Sequence, residues 1–293
     1  MSSYFNIFMA GIFHAAVLFL VTSGLQLVFG VQKIINLATG ALFALGAYSG
    51  FSFTTWALEM GLPPYLFPLA LLAAGVISGL IGIPLERLLR LIYKRPESFQ
   101  LLLTFSLILI FQDVFRYFWG ADPKQLGNLY MEYGSISFYD ASMPTYNVLV
   151  ILIAGILAVA LAYFLGHTST GKILRATAEN REASASMGVD VNKVYMWVFT
   201  LGTMVSTIGG ALVLPTAAAT LQIGVELVVE AFAVVVIGGL GSMKGAAVGA
   251  LIVGLIRVIA MVIYPEVEIL ATYAVVLAVL IWKPSGLFGK VTT

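Results

Sequence analysis

The sequence predicts an all-α, polytopic helical membrane protein with about eight to nine transmembrane segments, some of them broken or re-entrant. Three observations carry this. Sixty per cent of the 293 residues are apolar and ten per cent charged, with a mean hydropathy of +1.01, outside the range of soluble domains. The apolar residues fall into runs of about 20, the length that crosses a hydrocarbon core as a helix. The alternation of a barrel strand is absent.

Taken in order, the candidate spans are residues 7–30, 34–57, 65–84 (continuing as helix to about 92), 100–119, 147–166, 193–216, 226–243, 245–264 and 268–283. The first is expected to be a retained span, because Met1–Asn6 carries no Lys or Arg and the run is too long for a signal-peptide core. The runs 34–57 and 226–243 are the two that could be broken or re-entrant, which leaves eight spans as the second count. The whole of 1–293 is read as one transmembrane domain, with a polar loop at about 167–193.

Charge placement orients these spans. Arg87, Arg90, Lys94 and Arg95 crowd one connection, and Lys172, Arg175, Arg181 and Lys193 another. Lys33 and Lys244 mark two tight turns, and Lys283 and Lys290 lie in the tail. The remaining connections are poor in Lys and Arg: Glu59-Met-Gly-Leu-Pro-Pro, 217–225 and Tyr264–Glu268 have none, and 120–146 has only Lys124. With basic connections inside, one parity satisfies every loop, placing the N-terminus outside and the C-terminus in the cytoplasm. The long loop 120–146, with Tyr130, Tyr133, Tyr139 and Pro144, reads as a packed surface connector with interfacial aromatics.

Composition also excludes functions. Cys is absent, so there are no disulfides, thiolate metal sites or cysteine nucleophiles. His14 and His167 are the only imidazoles, too few for an expected metal site or a nucleophile–base pair. A net charge of +1 gives no footprint for nucleic acid. No phosphate-binding G-x-x-x-x-G-K-[ST] loop is present, so no cofactor is expected on this chain.

Within the apolar runs, the interruptions carry information. Gly46–Gly50, Gly75–Gly79 and Gly245–Gly249 are spaced as small-xxx-small packing faces. Asn36-Leu-Ala-Thr39-Gly40 places polar groups where they need partners, and Gly238-Gly239-Leu-Gly241-Ser242 would hardly hold a regular helix. Non-helical backbone at membrane depth is tolerated only against protein or a watery cavity. Asn36, Thr39, Gly40, Gly238, Gly239, Gly241 and Ser242 are therefore candidates for the translocation path. Glu230 and Arg257 fall at depths only ~5 Å apart, which predicts an ion pair, either fixing two helices or placed on the solute path. His14, alone on an apolar run, reads as a core histidine. Asp113 and Arg116 read as interfacial.

The polar interlude Arg175-Ala-Thr-Ala-Glu179-Asn-Arg181-Glu182-Ala183-Ser-Ala-Ser-Met-Gly188 is alanine-rich and reads as a short helix ended by Gly188, with Asp190 placed to cap the next. Its Glu182-Ala183, then Gly188, resembles the EAA loop of ABC-importer permeases, with Ser184 departing from the second Ala. Further stretches resemble the LivH-type permeases for branched-chain amino acids. These are Gly30-Val-Gln-Lys-Ile-Ile-Asn36-Leu-Ala-Thr-Gly40 with Leu45-Gly46-Ala47-Tyr48, Val236-Ile-Gly238-Gly239-Leu-Gly241-Ser242 with Gly245–Gly249, and Lys283-Pro284-Ser-Gly286-Leu287-Phe288-Gly289. Thr39 stands where that family commonly has His.

The resemblance implies a permease subunit of an ATP-driven importer in a bacterial-type inner membrane, moving branched-chain or related small amino acids. It implies two ABC ATPase subunits carrying ATP and Mg, a second permease subunit or copy, and a periplasmic solute-binding protein. Glu179–Gly188 would be the coupling helix, with Arg175, Glu179, Arg181, Glu182, Ala183 and Gly188 facing the ATPases. Urea and short-amide permeases belong to the same family and form the alternative. A secondary transporter, from another class, would show midplane coupling groups, and only Glu230 is a candidate.

Overall fold

The computed structural model describes residues 2–93, 95–127, 129–138 and 141–289; Lys94, Tyr139 and Lys290 lie outside the described residues. Among the described residues the fold is all-α apart from one short hairpin. In order, the helices are α1 (Ser2–Gln32), α2 (Thr39–Glu59), α3 (Phe67–Gly79), α4 (Gly82–Arg90), α5 (Glu97–Trp119), α6 (Thr145–His167), α7 (Ser169–Glu179), α8 (Arg181–Ser186), α9 (Val191–Val213), α10 (Ile223–Gly238), α11 (Met243–Ile263) and α12 (Glu268–Trp282). Among the described residues, six helical runs are long and apolar enough to cross a membrane: Tyr4–Gln32, Pro64–Arg90, Glu97–Trp119, Thr145–His167, Val191–Val213 and Met243–Ile263. The shorter α10, with 16 residues, reaches roughly 24 Å, less than a ~30 Å hydrocarbon core.

The run 65–92 is a helix with one flaw. Pro84 has no N–H to give Leu80, and its ring crowds that carbonyl. The chain tightens there: Leu80 N donates to Ile77 O and Ile81 N to Ser78 O, at 3.1 and 3.2 Å, before α4 resumes. The run 34–57 is helical only from Thr39. Lys33, at φ +59°, ends α1, and residues 33–38 are extended or turned.

Helix α9 is the axis of the bundle. Helices gain no hydrophobic advantage by associating in lipid, so close backbone packing must hold them. A Cβ on Gly46 of α2 would lie 2.0 Å from Thr207 O, and one on Gly75 of α3 would lie 2.7 Å from the Ile208 backbone. Gly79 and Gly82 meet Met204 and Thr200 in the same way, and Gly24 of α1 meets Gly202. These approaches expose carbonyls to neighbours, and Thr207 Oγ1 donates to Gly75 O at 2.6 Å. The other buried hydroxyls of α9 donate back one turn: Thr203 to Phe199 O and Ser206 to Gly202 O. A helix rich in Ser and Thr can thus be buried over most of its length.

The basic connections gather at one end of the bundle. Arg90 Nη2 donates to Asn192 O at 3.3 Å, Tyr93 meets Tyr195 edge-on, and Lys33, Arg175, Ser242 and Pro284 border one cavity. The opposite end is closed by the segment between α5 and α6. It contains an antiparallel hairpin, β1 (Ser135–Phe138) and β2 (Ala141–Pro144), which helical periodicity could not foreshadow. Tyr133 packs against Phe67 and donates to Tyr65 O, while Lys124 and Ala219 exchange backbone hydrogen bonds of 3.0 and 2.8 Å. The connector is packed down rather than free.

The glycine faces give a paired prediction. Gly46→Ala should cost about 1–3 kcal/mol through overpacking and lower the melting temperature in detergent. Gly155→Ala, where a Cβ meets nothing within 4 Å, should not. Equal melting of the two variants would refute the close approach.

Candidate functional site

Helices α7 and α8 carry the polar interlude. The sequence suggests one helix through this stretch, but the chain breaks at Asn180, whose backbone is extended (φ −147°, ψ 103°). The reason is a cap: Asn180 Oδ1 accepts from Ala183 N at 2.9 Å and opens a new helix. Thr168 caps α7 through Gly171 N at 3.0 Å, and Asp190 caps α9 through Lys193 N at 3.2 Å. That amide hydrogen bond, with Lys193 beside it, holds the Asp190 carboxyl below its usual range. Gly188, at φ +84°, turns the chain between α8 and α9.

Both short helices are seated by one buried side and show the other. Gly171, Leu174, Thr177 and Ser184 are buried. Arg175, Glu179, Arg181, Glu182, Ala183 and Gly188 are exposed. Arg175 Nη2 donates to Gly166 O at 3.2 Å, and the Arg181 guanidinium lies 5.3 Å from the Tyr195 ring. Met187, 84% exposed at the end of α8, is an apolar tip that charge patterning alone did not single out.

Beside α7 opens a cavity of about 990 Å³. Arg175 and Glu179 border it from α7, Gln26 and Gly30 from α1, and Gly241 and Ser242 from the turn between α10 and α11. The structure therefore brings part of the polar interlude together with part of the glycine-rich segment. In that segment Gly239 and Gly241 have φ of +96° and +80°, which favours glycine. Gly238 packs backbone to backbone on Gly245, and Ser242 Oγ caps α11 by accepting from Gly245 N at 3.1 Å.

Asn36, Thr39 and Gly40 do not border that cavity. Asn36 and Thr39 are buried, and their polar atoms close a turn: Asn36 Oδ1 accepts from Ala38 N and Thr39 Oγ1 donates to Asn36 O, at 3.1 and 2.8 Å. Gly40 packs on the Gly224 backbone at the start of α10.

Glu230 and Arg257 are in contact, and they are not alone. Arg257 donates to Glu230 through Nη1 and to Glu268 through Nε. His14 Nε2 lies 3.3 Å from Glu230 Oε2 and 3.1 Å from Arg257 Nη1. That nitrogen either accepts from Arg257 or, carrying a proton, donates to Glu230. The quartet ties α1, α10, α11 and the first residue of α12, with two carboxylates against one guanidinium. His14 is thus a polar partner across helices, and neither it nor Glu268 was legible as one from depth alone. Another acid went unmarked in the sequence: Glu86 is fully buried, held by Arg90 at 2.6 Å and by Tyr93 OH at 3.0 Å. Burial, with Glu86 beside it, pushes the Tyr93 phenol far above its usual range, so it stays a donor.

Comparison with known proteins then places the chain. The family model for the permease component of branched-chain amino acid transport systems matches residues 7–282. The chain belongs to this family. The permease is similar to the high-affinity branched-chain amino acid transport system permease protein LivH of Salmonella typhimurium, with 25% identity covering 99% of this chain and 98% of that protein. It is also similar to the corresponding protein BraD of Pseudomonas aeruginosa, with 22% identity covering 92% and 91%. Its fold is similar to the solved structure of PsaBC from Streptococcus pneumoniae in complex with a Fab, with a TM-score of 0.50, 12% identity, and coverage of 95% and 92%. The permease is the membrane-spanning subunit of an importer of this kind.

For the quartet, Arg257→Ala should cost about 3–5 kcal/mol, because it leaves two facing carboxylates with no cation. Adding Glu230→Gln and Glu268→Gln should recover most of that loss in the same detergent melting assay. A melting temperature unchanged by Arg257→Ala would refute the role.

Proposed function

We propose that the permease passes branched-chain or related small amino acids into the cytoplasm, driven by two ABC ATPase subunits that bind ATP and Mg. A second permease subunit, or a second copy, completes the path, and a periplasmic binding protein delivers the solute. In this reading the N-terminus is periplasmic, the C-terminus cytoplasmic, and the membrane a bacterial-type inner membrane. The solute class rests on family membership and on the similarity to LivH and BraD, permeases of high-affinity branched-chain amino acid transport systems.

The observation that carries the coupling role is the exposure of every polar side chain proposed for it. Arg175, Glu179, Arg181 and Glu182 stand out from helices anchored by Leu174, Thr177 and Ser184. They sit at the end of the bundle where the basic connections meet, the side that the positive-inside rule assigns to the cytoplasm. A rigid, seated pair of short helices with a charged face and an apolar tip at Met187 suits a cleft in a partner. The α7–α8 pair, rather than one continuous helix from Glu179, is the unit that would move. Gly241 and Ser242, which share the cavity with α7, place one bound of the translocation path beside it. Asn36, Thr39 and Gly40 belong to that path as packing elements.

Gly188 gives the test. A Cβ there meets nothing within 4 Å, so a substitution strains only the turn, by about 1–2 kcal/mol. In proteoliposomes holding the purified complex with its binding protein, Gly188→Val should lower uptake per ATP hydrolysed by about tenfold, the equivalent of ~1.4 kcal/mol. The complex should still assemble, as seen by size-exclusion chromatography. Unchanged uptake per ATP would overturn the coupling role of α8.

A further inference from the structure

We infer that Gln26 is a positioning residue that transmits movement of the α7–α8 pair to the glycine turn between α10 and α11; this rests on the coupling role proposed above. Gln26 is 1% exposed, on an apolar helix, where an amide is costly unless both its ends are bonded. Both are. Its Nε2 donates to Gly239 O at 2.9 Å, and its Oε1 accepts from Gly241 N at 2.5 Å. One side chain thus grips the two residues of left-handed φ that flank Leu240. A side-chain amide donates from one terminal atom and accepts at the other, whereas a carboxylate cannot donate and an ammonium cannot accept.

The same end of α1 is what α7 touches. Leu27 and Val31, one and five residues beyond Gln26, pack in one buried cluster with Leu174 of α7 and with Val191, Tyr195 and Val198 of α9. Gln32 Nε2 donates to Tyr195 O at 2.9 Å. A displacement of α7 therefore pushes on α1 within two turns of Gln26.

The far side of the glycine turn is held by the tail. Leu287 N donates to Ile237 O and Phe288 N to Gly238 O, at 2.8 and 3.0 Å. These bonds take up carbonyls that the end of α10 leaves without helical partners. The turn is thus strapped from one side by residues 287–288 and gripped from the other by Gln26, with the 990 Å³ cavity between them and α7. Gly239 N still bonds back to Val235 O at 2.8 Å, and beyond it the chain leaves helical geometry until α11 begins at Met243, so a change in the Gln26 grip re-aims α10 against α11.

The chain has no cysteine, so a single Leu240→Cys, at a partly exposed site, gives a clean reporter. The complex with its ATPases and binding protein is labelled with a maleimide in proteoliposomes, with and without ATP, and uptake and hydrolysis are read in parallel. The inference expects labelling of the Leu240→Cys complex to change with nucleotide. Adding Gln26→Ala should abolish that change and lower uptake per ATP by about tenfold or more, while hydrolysis continues. Gln26→Glu, which keeps the acceptor for Gly241 N and loses the donor to Gly239 O, should fall between.

Nucleotide-independent labelling in a Leu240→Cys complex that still takes up solute would overturn the inference without any Gln26 variant. So would parental uptake per ATP in Gln26→Ala. Failure of the parent complex to show ATP-driven uptake would instead sink the coupling reading on which it rests.

Discussion

Direct backbone contact with α9 is the constraint on which the rest of the bundle depends. Apolar side chains cannot drive helices together in lipid, since the tails are as apolar as the helices. What remains is van der Waals contact between backbones, and glycine permits it. Gly46 of α2, Gly75, Gly79 and Gly82 of the α3–α4 run, and Gly24 of α1 all bring their chains onto α9 at distances that a methyl group would forbid. The hydroxyls of α9 bond to its own preceding turn or, at Thr207, to the exposed carbonyl of Gly75. Once α1, α2 and α3 are set against α9, α11 lies along α1, and α10 packs against both α1 and α2, with Gly40 of α2 on the Gly224 backbone.

That arrangement explains why irregular backbone survives inside the bundle. The segment 33–38 and the turn at Gly238–Gly241 both leave helical geometry; Ile34, Asn36 and Ala38 of the first and Gly238 and Gly239 of the second are buried in protein, while Lys33, Leu240 and Gly241 border the cavity. Asn36 and Thr39 close the first upon itself. Gln26 and the tail take up the polar groups of the second. The charged quartet follows the same logic: Arg257 is shared by Glu230 and Glu268 because one carboxylate does not use all the donors of a guanidinium.

Much of the architecture was legible from elementary rules. Hydropathy located nine apolar helical runs, six of them long and apolar enough among the described residues to cross a membrane, whereas the flaw at Pro84 is unmarked in the third, a run that reads as helix to about 92. The small-xxx-small faces announced close contact, since nothing else recommends glycine in a helix interior. Rise per residue placed Glu230 and Arg257 at one depth. Less was visible in the polar interlude. Residues 175–188 favour helix throughout, so propensity suggested one rod, whereas the side chain of Asn180 prefers to cap and splits it. Asparagine before a run of helix formers was the available signal. The hairpin strands had none, being two strands of four residues of which β2 packs against α1 and α6.

The sequence by itself determined which stretches are apolar helices, their order, and the family to which they correspond, because hydropathy and short motifs are properties of contiguous residues. The helix ends were set by packing and caps, with α2 starting at Thr39 and α10 ending at Gly238. Only the tertiary structure decided which polar groups meet. His14 and Glu230 are 216 residues apart and Gln26 and Gly241 are 215 apart. Hydrogen bonds and ion pairs act over a few ångströms, and no local pattern along one helix records what another helix brings to that distance.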